Sequence, residues 1–243
     1  MFAASLAPQY LLWLWQGFGI TVGLSLCVAA SATAGGALLV LVRNARWRPV
    51  RQVAAVYVLA FRNTPLLVQL LFWYFGIATL LPAGLMQWLN SQHVLPRTGG
   101  LVHWPSFEFV TGWLGLTCYT VSFIAEEFQA GIAGVAAAQR QAGAALGLTP
   151  LQTFRYVVLP QAVRIALPPL FGQYMNLVKN SSLTMAIGLA ELSYASRQVE
   201  TETFMTFQSF GIATLLYIGA IAVIEAFSHL VVQARDRRLG RRA

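Results

Sequence analysis

Residues 11–42 form an unbroken run of 32 positions without a charged side chain. A helix needs about 20 apolar residues to cross the hydrocarbon core of a bilayer, so this run predicts a membrane-spanning helix. Four further apolar segments follow at about 64–81, 107–128, 165–190 and 207–232. The whole chain is 57% hydrophobic and 10% charged, against roughly a quarter charged in a soluble domain. Its 243 residues leave room for these crossings and short connections, but not for a second catalytic domain. The expectation is an all-α integral membrane protein with about five transmembrane helices, organised as one transmembrane domain over 1–243.

The basic residues orient these segments. Of 16 Lys and Arg, five lie between Arg43 and Arg62, three between Arg140 and Arg164, and five at the C-terminus: Arg235, Arg237, Arg238, Arg241 and Arg242. Arg97 and Arg197 fall on the opposite side, and Lys179 lies within the fourth segment. Cytoplasmic loops carry the excess of Lys and Arg. Five crossings with the N-terminus outside and the C-terminus in the cytoplasm satisfy this distribution. The arginines thus belong to a membrane topology, and the expected surroundings are lipid, with no nucleic acid. Residues 1–9 carry no basic residue, which argues against a cleaved signal peptide. Cys27 and Cys118 each sit in an apolar run and read as packing residues, with no metal site expected.

Between the third and fourth segments lies a cytoplasmic stretch, 129–164, that reads as two short helices. The first, around 136–146, is closed by Gly147, where a left-handed residue can end a helix, with Leu148 following. The second starts with Thr149 as N-cap, Pro150 at the first helical position and Gln152 completing a capping box, and should stop before Pro160. Leu151, Phe154 and Val158 should share its inner face. Ala142, Gly143, Ala144 and Ala145 leave the first helix nearly bare, so another element can lie against its backbone.

The fourth segment is interrupted by Lys179, Asn180, Ser181 and Ser182, and Pro168 and Pro169 predict a bent start. A membrane-embedded Lys costs roughly 2.5–3.5 kcal/mol on insertion scales, so it should face a cavity or a partner. Gln173, Asn176, Asn180 and Thr184 recur at helical spacing and predict one polar stripe suited to a water-filled path. Lys179 either favours a solute carboxylate on that path or holds the bundle together. Arg62, Asn63 and Thr64, before Pro65, read as a snorkelling end, a gate or a subunit interface. Glu126 is expected to be solvated, and Glu126 or Glu127 could contact a cytoplasmic partner. Glu225 and His229, four residues apart, read as an interfacial helix pair.

The run QAGAALGLTPLQTFRYVVLPQA, from Gln141 to Ala162, resembles the EAA loop of bacterial ABC-importer permeases. FRNTPLLVQ and MNLVKNSSL are similar to the polar-amino-acid branch of that family, in particular its glutamate/aspartate permeases. The resemblance implies a type I importer fold. It also implies a coupling helix that seats in a groove of an ATPase subunit, with Gln141, Ala142, Gly143, Gly147, Leu148 and Thr149 at the matching positions. Gln141 stands where the family usually has Glu. The resemblance further implies a dimer of ABC ATPases carrying ATP and Mg, a second permease subunit, identical or homologous, a periplasmic amino-acid-binding protein, and a place in the bacterial inner membrane. No cofactor is expected in this chain.

The sequence contains no Walker A, HExxH or GxSxG motif. Any ATP hydrolysis should therefore reside in a separate chain, and this one should be a transport subunit and not an enzyme. An ion-coupled secondary transporter, with Glu225, His229 or Lys179 carrying protons, is the alternative. A membrane-embedded enzyme would need a nucleophile paired with a base, which the embedded polar residues do not offer.

Overall fold

The structure, a computed structural model, describes residues 6–91 and 106–238, with the side chains of Asn90 and 235–238 excepted. Arg97, Trp104, Arg241 and Arg242 lie outside the described residues, as do the side chains of Arg235, Arg237 and Arg238. Every described element is helical. In order they are α1 (Pro8–Arg43), α2 (Arg48–Asn63), α3 (Leu66–Leu80), α4 (Ala83–Asn90), α5 (Phe107–Ala133), α6 (Ala137–Ala145), α7 (Pro150–Thr153), α8 (Leu159–Asn180), α9 (Leu192–Thr203) and α10 (Thr206–Arg238). A π turn, Phe154–Val158, joins α7 to α8, and a 3₁₀ helix, Ser181–Ile187, follows α8.

Among the described residues, three helices are long and apolar enough to cross a membrane: α1, α5 and the Thr206–Ala234 part of α10. Taking α2 with α3 as one broken span makes four. On its own the 15-residue α3 reaches about 22 Å at 1.5 Å per residue, short of the roughly 30 Å hydrocarbon core. The 22 residues of α8 would reach about 33 Å, but Arg164, Gln173, Asn176 and Lys179 dilute its apolar content.

The fourth segment breaks within its polar interruption, Lys179 to Ser182: α8 ends at Asn180, where the chain tightens into the 3₁₀ helix and leaves it through Gly188 at φ 85°. Its start does not lie at Ile165, since α8 begins at Leu159. Nor does the helix stop before Pro160. The amide of Leu159 bonds the carbonyl of Phe154, five residues back, so the ladder is already re-phased when the proline arrives. Pro160 sits one residue into α8, where a missing N–H costs little, and Pro168 and Pro169 lie inside the same helix.

The chain divides into two compact units. The first comprises residues 1–29, 63–119 and 177–219. Its core joins Leu14 of α1 to Leu192, Ala195 and Val199 of α9 and Ala213 of α10. A side chain at Gly17 would put its Cβ 2.8 Å from Ala195 Cβ, so α1 and α9 approach as closely as backbones allow. Gly115 brings α5 against Leu70 and Trp73 of α3 in the same way.

The second unit comprises 30–62, 120–176 and 220–243. Here Gly36 lets α1 meet Ile124 of α5, and Gly131 lets α5 meet the carbonyl of Ala162 in α8, where an added Cβ would stand 2.5 Å away. Lipid offers no hydrophobic driving force between helices, so such small-residue contacts, with their dispersion energy, hold them together.

Candidate coupling corner and solute path

The α6–α7 corner is built from local signals. α6 ends in a Schellman closure: Gly147 adopts φ 76°, its amide bonds Ala144 O at 3.0 Å, and the Leu148 amide bonds Gly143 O at 3.1 Å. Two residues on, Thr149 caps α7. Its Oγ1 accepts from the Gln152 amide at 3.3 Å, while Gln152 Oε1 accepts from the Thr149 amide at 2.9 Å. This reciprocal pair satisfies two otherwise orphaned donors. Arg140 Nη2 donates to Ile132 O at 2.9 Å and so ties α6 back to the end of α5.

Of the six residues expected to couple to a partner, Gln141, Ala142, Gly147 and Thr149 are exposed, Leu148 is half-buried and Gly143 is buried. What lies against the bare backbone at Gly143 is Thr153 of α7: an added Cβ would meet its Cγ2 at 2.8 Å and its Oγ1 at 3.0 Å. Leu151 does not share an inner face with Phe154 and Val158; it is 75% exposed, and Leu146 is 82% exposed. The π turn explains the change. Thr153 and Val158 are both buried at a spacing of five, after which Ala162, Ala166 and Leu170 continue at the α-helical spacing of four. Leu151 is thereby left outward, and Leu146, at the C-cap of α6, is outward as well; each is worth about 1.5–3 kcal/mol if a partner buries it. A mostly apolar cleft of about 680 Å³ opens beside the corner, lined by Val40 of α1 and Asn44 just after it, Ile132 of α5, Arg140 and Ala144 of α6, and Phe154.

The expected gate residues divide. Arg62, at the end of α2, lies 3.8 Å from Glu126 of α5 and stacks 5.2 Å above the Phe123 ring. Glu126 also pairs with Arg43 at the end of α1, so it is engaged by two arginines and not simply solvated. Thr64 takes a different role. Its Oγ1 and carbonyl accept from Gln69 Nε2 at 2.6 and 3.1 Å, shaping the turn into α3. Asn63 closes α2 immediately before that turn.

Along the expected path, Asn176 and Lys179 are exposed, and Gln173, Asn180 and Ser182 are half-buried. Gln173 Nε2 donates to Glu127 Oε1 at 2.8 Å, which fixes the amide and engages the neighbour of Glu126 within the chain. Ser181 and Thr184 do not continue the stripe. Both are fully buried, and their hydroxyls donate to Val178 O and Ser181 O. The 3₁₀ tightening after Asn180 turns Thr184 inward against Gly112. Further along, Glu225 and His229 form the expected exposed pair at 3.9 Å on α10.

One cluster was not foreseen. Glu191, fully buried, accepts from Thr21 Oγ1 of α1 at 3.2 Å, from the Tyr217 hydroxyl of α10 at 2.7 Å and from the Tyr194 amide at 3.0 Å. Thr21 Oγ1 in turn accepts from the Leu192 amide at 3.1 Å. The carboxylate caps α9 while holding it to α1 and α10. Its available signal was local: an acidic residue three positions after Gly188, just ahead of a helical run.

Residues 32–241 match the family described as binding-protein-dependent transport system inner membrane component. The chain is 32% identical over 231 residues to the glutamate/aspartate import permease protein GltJ of Escherichia coli (strain K12), covering 95% of this chain and 88% of that one. It is also 32% identical over 203 residues to the probable glutamine ABC transporter permease protein GlnM of Bacillus subtilis (strain 168), covering 84% of each. Among solved structures, an amino acid ABC transporter crystallised with histidines superposes with a TM-score of 0.76 at 25% identity, over 95% of this chain and 100% of that one. The methionine transporter MetNI, in an inward-facing conformation, shares the fold with a TM-score of 0.70. The all-helical architecture and these likenesses agree: the chain belongs to the binding-protein-dependent inner membrane components, among the permease subunits of amino-acid ABC importers.

Proposed function

We propose that this chain forms the membrane path of an ATP-driven importer of polar amino acids, with glutamate and aspartate as substrates. The observation that carries the reading is the α6–α7 corner, a rigidly capped pair of short helices presenting Leu146 and Leu151 outward and running through the π turn directly into α8. A corner of this kind delivers a push from an ATPase to the helix that bears Gln173, Asn176, Lys179 and Asn180. The acidic preference is supported by the likeness to the glutamate/aspartate permease and by the cationic Lys179 exposed on that helix.

In this reading the chain crosses the bacterial inner membrane five times, N-terminus periplasmic and C-terminus cytoplasmic, with α8 as a polar span shielded by a second permease subunit. A polar stripe facing lipid would leave its groups unpaired, which favours such a pairing. Two ABC ATPases, holding ATP and Mg, dock at the corner around Gln141, Ala142, Gly143, Gly147, Leu148 and Thr149, and a periplasmic binding protein delivers the amino acid. The path runs past Gln173, Asn176, Lys179, Asn180 and Ser182, while Ser181 and Thr184 shape the turn beside it. Arg62 and Arg43, drawn to Glu126, tie the inner ends of α2 and α1 to α5 as a gate.

The test is uptake of labelled L-glutamate into proteoliposomes holding the copurified complex with ATP inside. Uptake should survive collapse of the proton gradient and stop without ATP. A Lys179→Met variant should assemble normally and lose at least about tenfold in uptake. If it transports as the parent does, Lys179 is a structural residue and the path lies elsewhere.

A further inference from the structure

Between the coupling corner and the polar residues Gln173 and Asn176, α8 loses two rungs of its hydrogen-bond ladder. Pro168 and Pro169 lie inside the helix, and a proline has no N–H to bond the carbonyl four residues back. The amides that would bond the carbonyls of Arg164 and Ile165 therefore do not exist. Sharp bends in helices concentrate at prolines, so α8 by itself passes a displacement across this point poorly.

A second connection runs beside the break. On the corner side, Val135, Val158 and Ala162 form a buried cluster with Ile132 and Phe154 packed against it, and Arg140 Nη2 donates to Ile132 O at 2.9 Å. Gly131 of α5 lies so close to α8 that an added Cβ would stand 2.5 Å from Ala162 O and 2.9 Å from Ala166 Cβ. The corner, the end of α5 and the first turns of α8 thus form one packed body. Beyond the prolines, Gln173 Nε2 donates to Glu127 Oε1 at 2.8 Å. Glu127 and Gly131 are four residues apart on α5 and share its face toward α8. α5 thereby touches α8 on both sides of the break. The next residue of α8, Tyr174, is tied to Thr33 of α1 by a 2.8 Å contact between hydroxyls.

We propose that Glu127 is a positioning residue for transport: by holding Gln173 to α5, it hands the displacement of the corner across the proline break to the part of α8 that bears Gln173 and Asn176. The inference rests on the ATP-driven transport reading and adds to it a route for the push that does not depend on the continuity of α8. A carboxylate acceptor suits the task, since its hydrogen bonds are stronger than those between neutral groups. Tyr174 and Thr33 act as a second, weaker tie at the same level.

The test is the amount of labelled L-glutamate imported per ATP hydrolysed by the whole complex in proteoliposomes, with its binding protein present. Glu127→Leu should assemble, keep hydrolysing ATP and import at least about fivefold less per ATP. Glu127→Gln keeps an acceptor oxygen for Gln173 and should stay within about twofold of the parent. Pro168→Ala with Pro169→Ala restores the missing rungs, so in the Glu127→Leu background it should return the ratio to at least about half the parental value. Tyr174→Phe removes only the tie to Thr33; it should lower the ratio about twofold and be restored by the same alanine pair. That arm decides the matter where Glu127→Leu does not assemble. A parental ratio in the deciding variant makes these contacts packing alone and overturns the proposal, even where fewer complexes form. So does an alanine pair that restores nothing. A parent complex that imports no glutamate with ATP overturns the transport reading and this inference together.

Discussion

Among the described helix junctions that close on a left-handed residue, two do so by opposite means. After α6 the residue is Gly147, at φ 76°, which pays no steric penalty there. After α9 it is Phe204, at φ 55° and 86% exposed, where the side chain adds strain and no burial. The first junction relies on residues suited to their local geometry: a glycine, a threonine cap and a proline at the first helical position. The second is held in an unfavourable conformation by what surrounds it. Thr203 Oγ1 accepts from the Met205 amide at 3.2 Å, Thr206 donates to Glu200 at 3.3 Å, and Glu191 holds the other end of α9 to α1 and α10. Locally consistent structure needs little support from afar, whereas strain persists only where neighbours over-determine it.

The sharpest way to break this contrast is to remove the long-range support. Glu191→Leu leaves the Thr21 and Tyr217 hydroxyls and the Tyr194 amide without their acceptor, and each buried donor so orphaned costs about 1–3 kcal/mol. The purified variant should lose thermal stability in detergent severely, with Glu191→Gln falling between it and the parent. A Glu191→Leu protein melting with the parent would mean that α9 is held by its apolar contacts alone.

At the other junction the expected damage is smaller and of another kind. Gly143→Val forces α6 away from Thr153 at a cost of about 1–3 kcal/mol, and should cut uptake while the complex still assembles. Gly143→Ala should do the same more mildly, and Thr153→Ala in that background should restore uptake by removing both atoms that the new methyl meets. A double variant no better than the single one would show that the contact is not what limits coupling.

The left-handed residues themselves give the smallest effects, with opposite signs. Gly147→Ala should destabilise by about 1–2 kcal/mol, the cost of a Cβ in this conformation. Phe204→Gly should stabilise by about 1 kcal/mol or less, because relief of that strain is offset by glycine's greater freedom when unfolded. Paired melting curves of the two variants measure both. A stability loss in Phe204→Gly would show that its side chain makes a favourable contact.

The same contrast accounts for what was legible in the sequence. Gly147, Thr149, Pro150 and Gln152 act within a few residues of themselves, and the structure forms the closure and the capping box that their spacing predicts. The apolar segments that became α1, α3, α5 and α10 were equally visible, because a period and a length suffice to mark them. The Glu191 cluster was not, since Thr21 lies 170 positions away in the chain. The polar stripe was legible as far as Asn180, where α8 ends, but extending it to Thr184 assumed α-helical spacing through a segment that tightens to 3₁₀. Leu151 was misplaced for the converse reason: a π turn widens the spacing, and no residue in 154–158 advertises one.

That π turn sets an indexing relation between the corner and α8. Each residue of an α-helix advances about 100° around its axis, so one residue more or fewer between Thr153 and Val158 would rotate everything downstream by that angle relative to α7. Ala162, Ala166 and Leu170 would swing off their packed face, and Gln173 and Asn176 would be aimed elsewhere. Chain length between these two anchors is consequently a fixed quantity. Substitutions there are a question of chemistry, but insertions and deletions amount to turning a key in its lock.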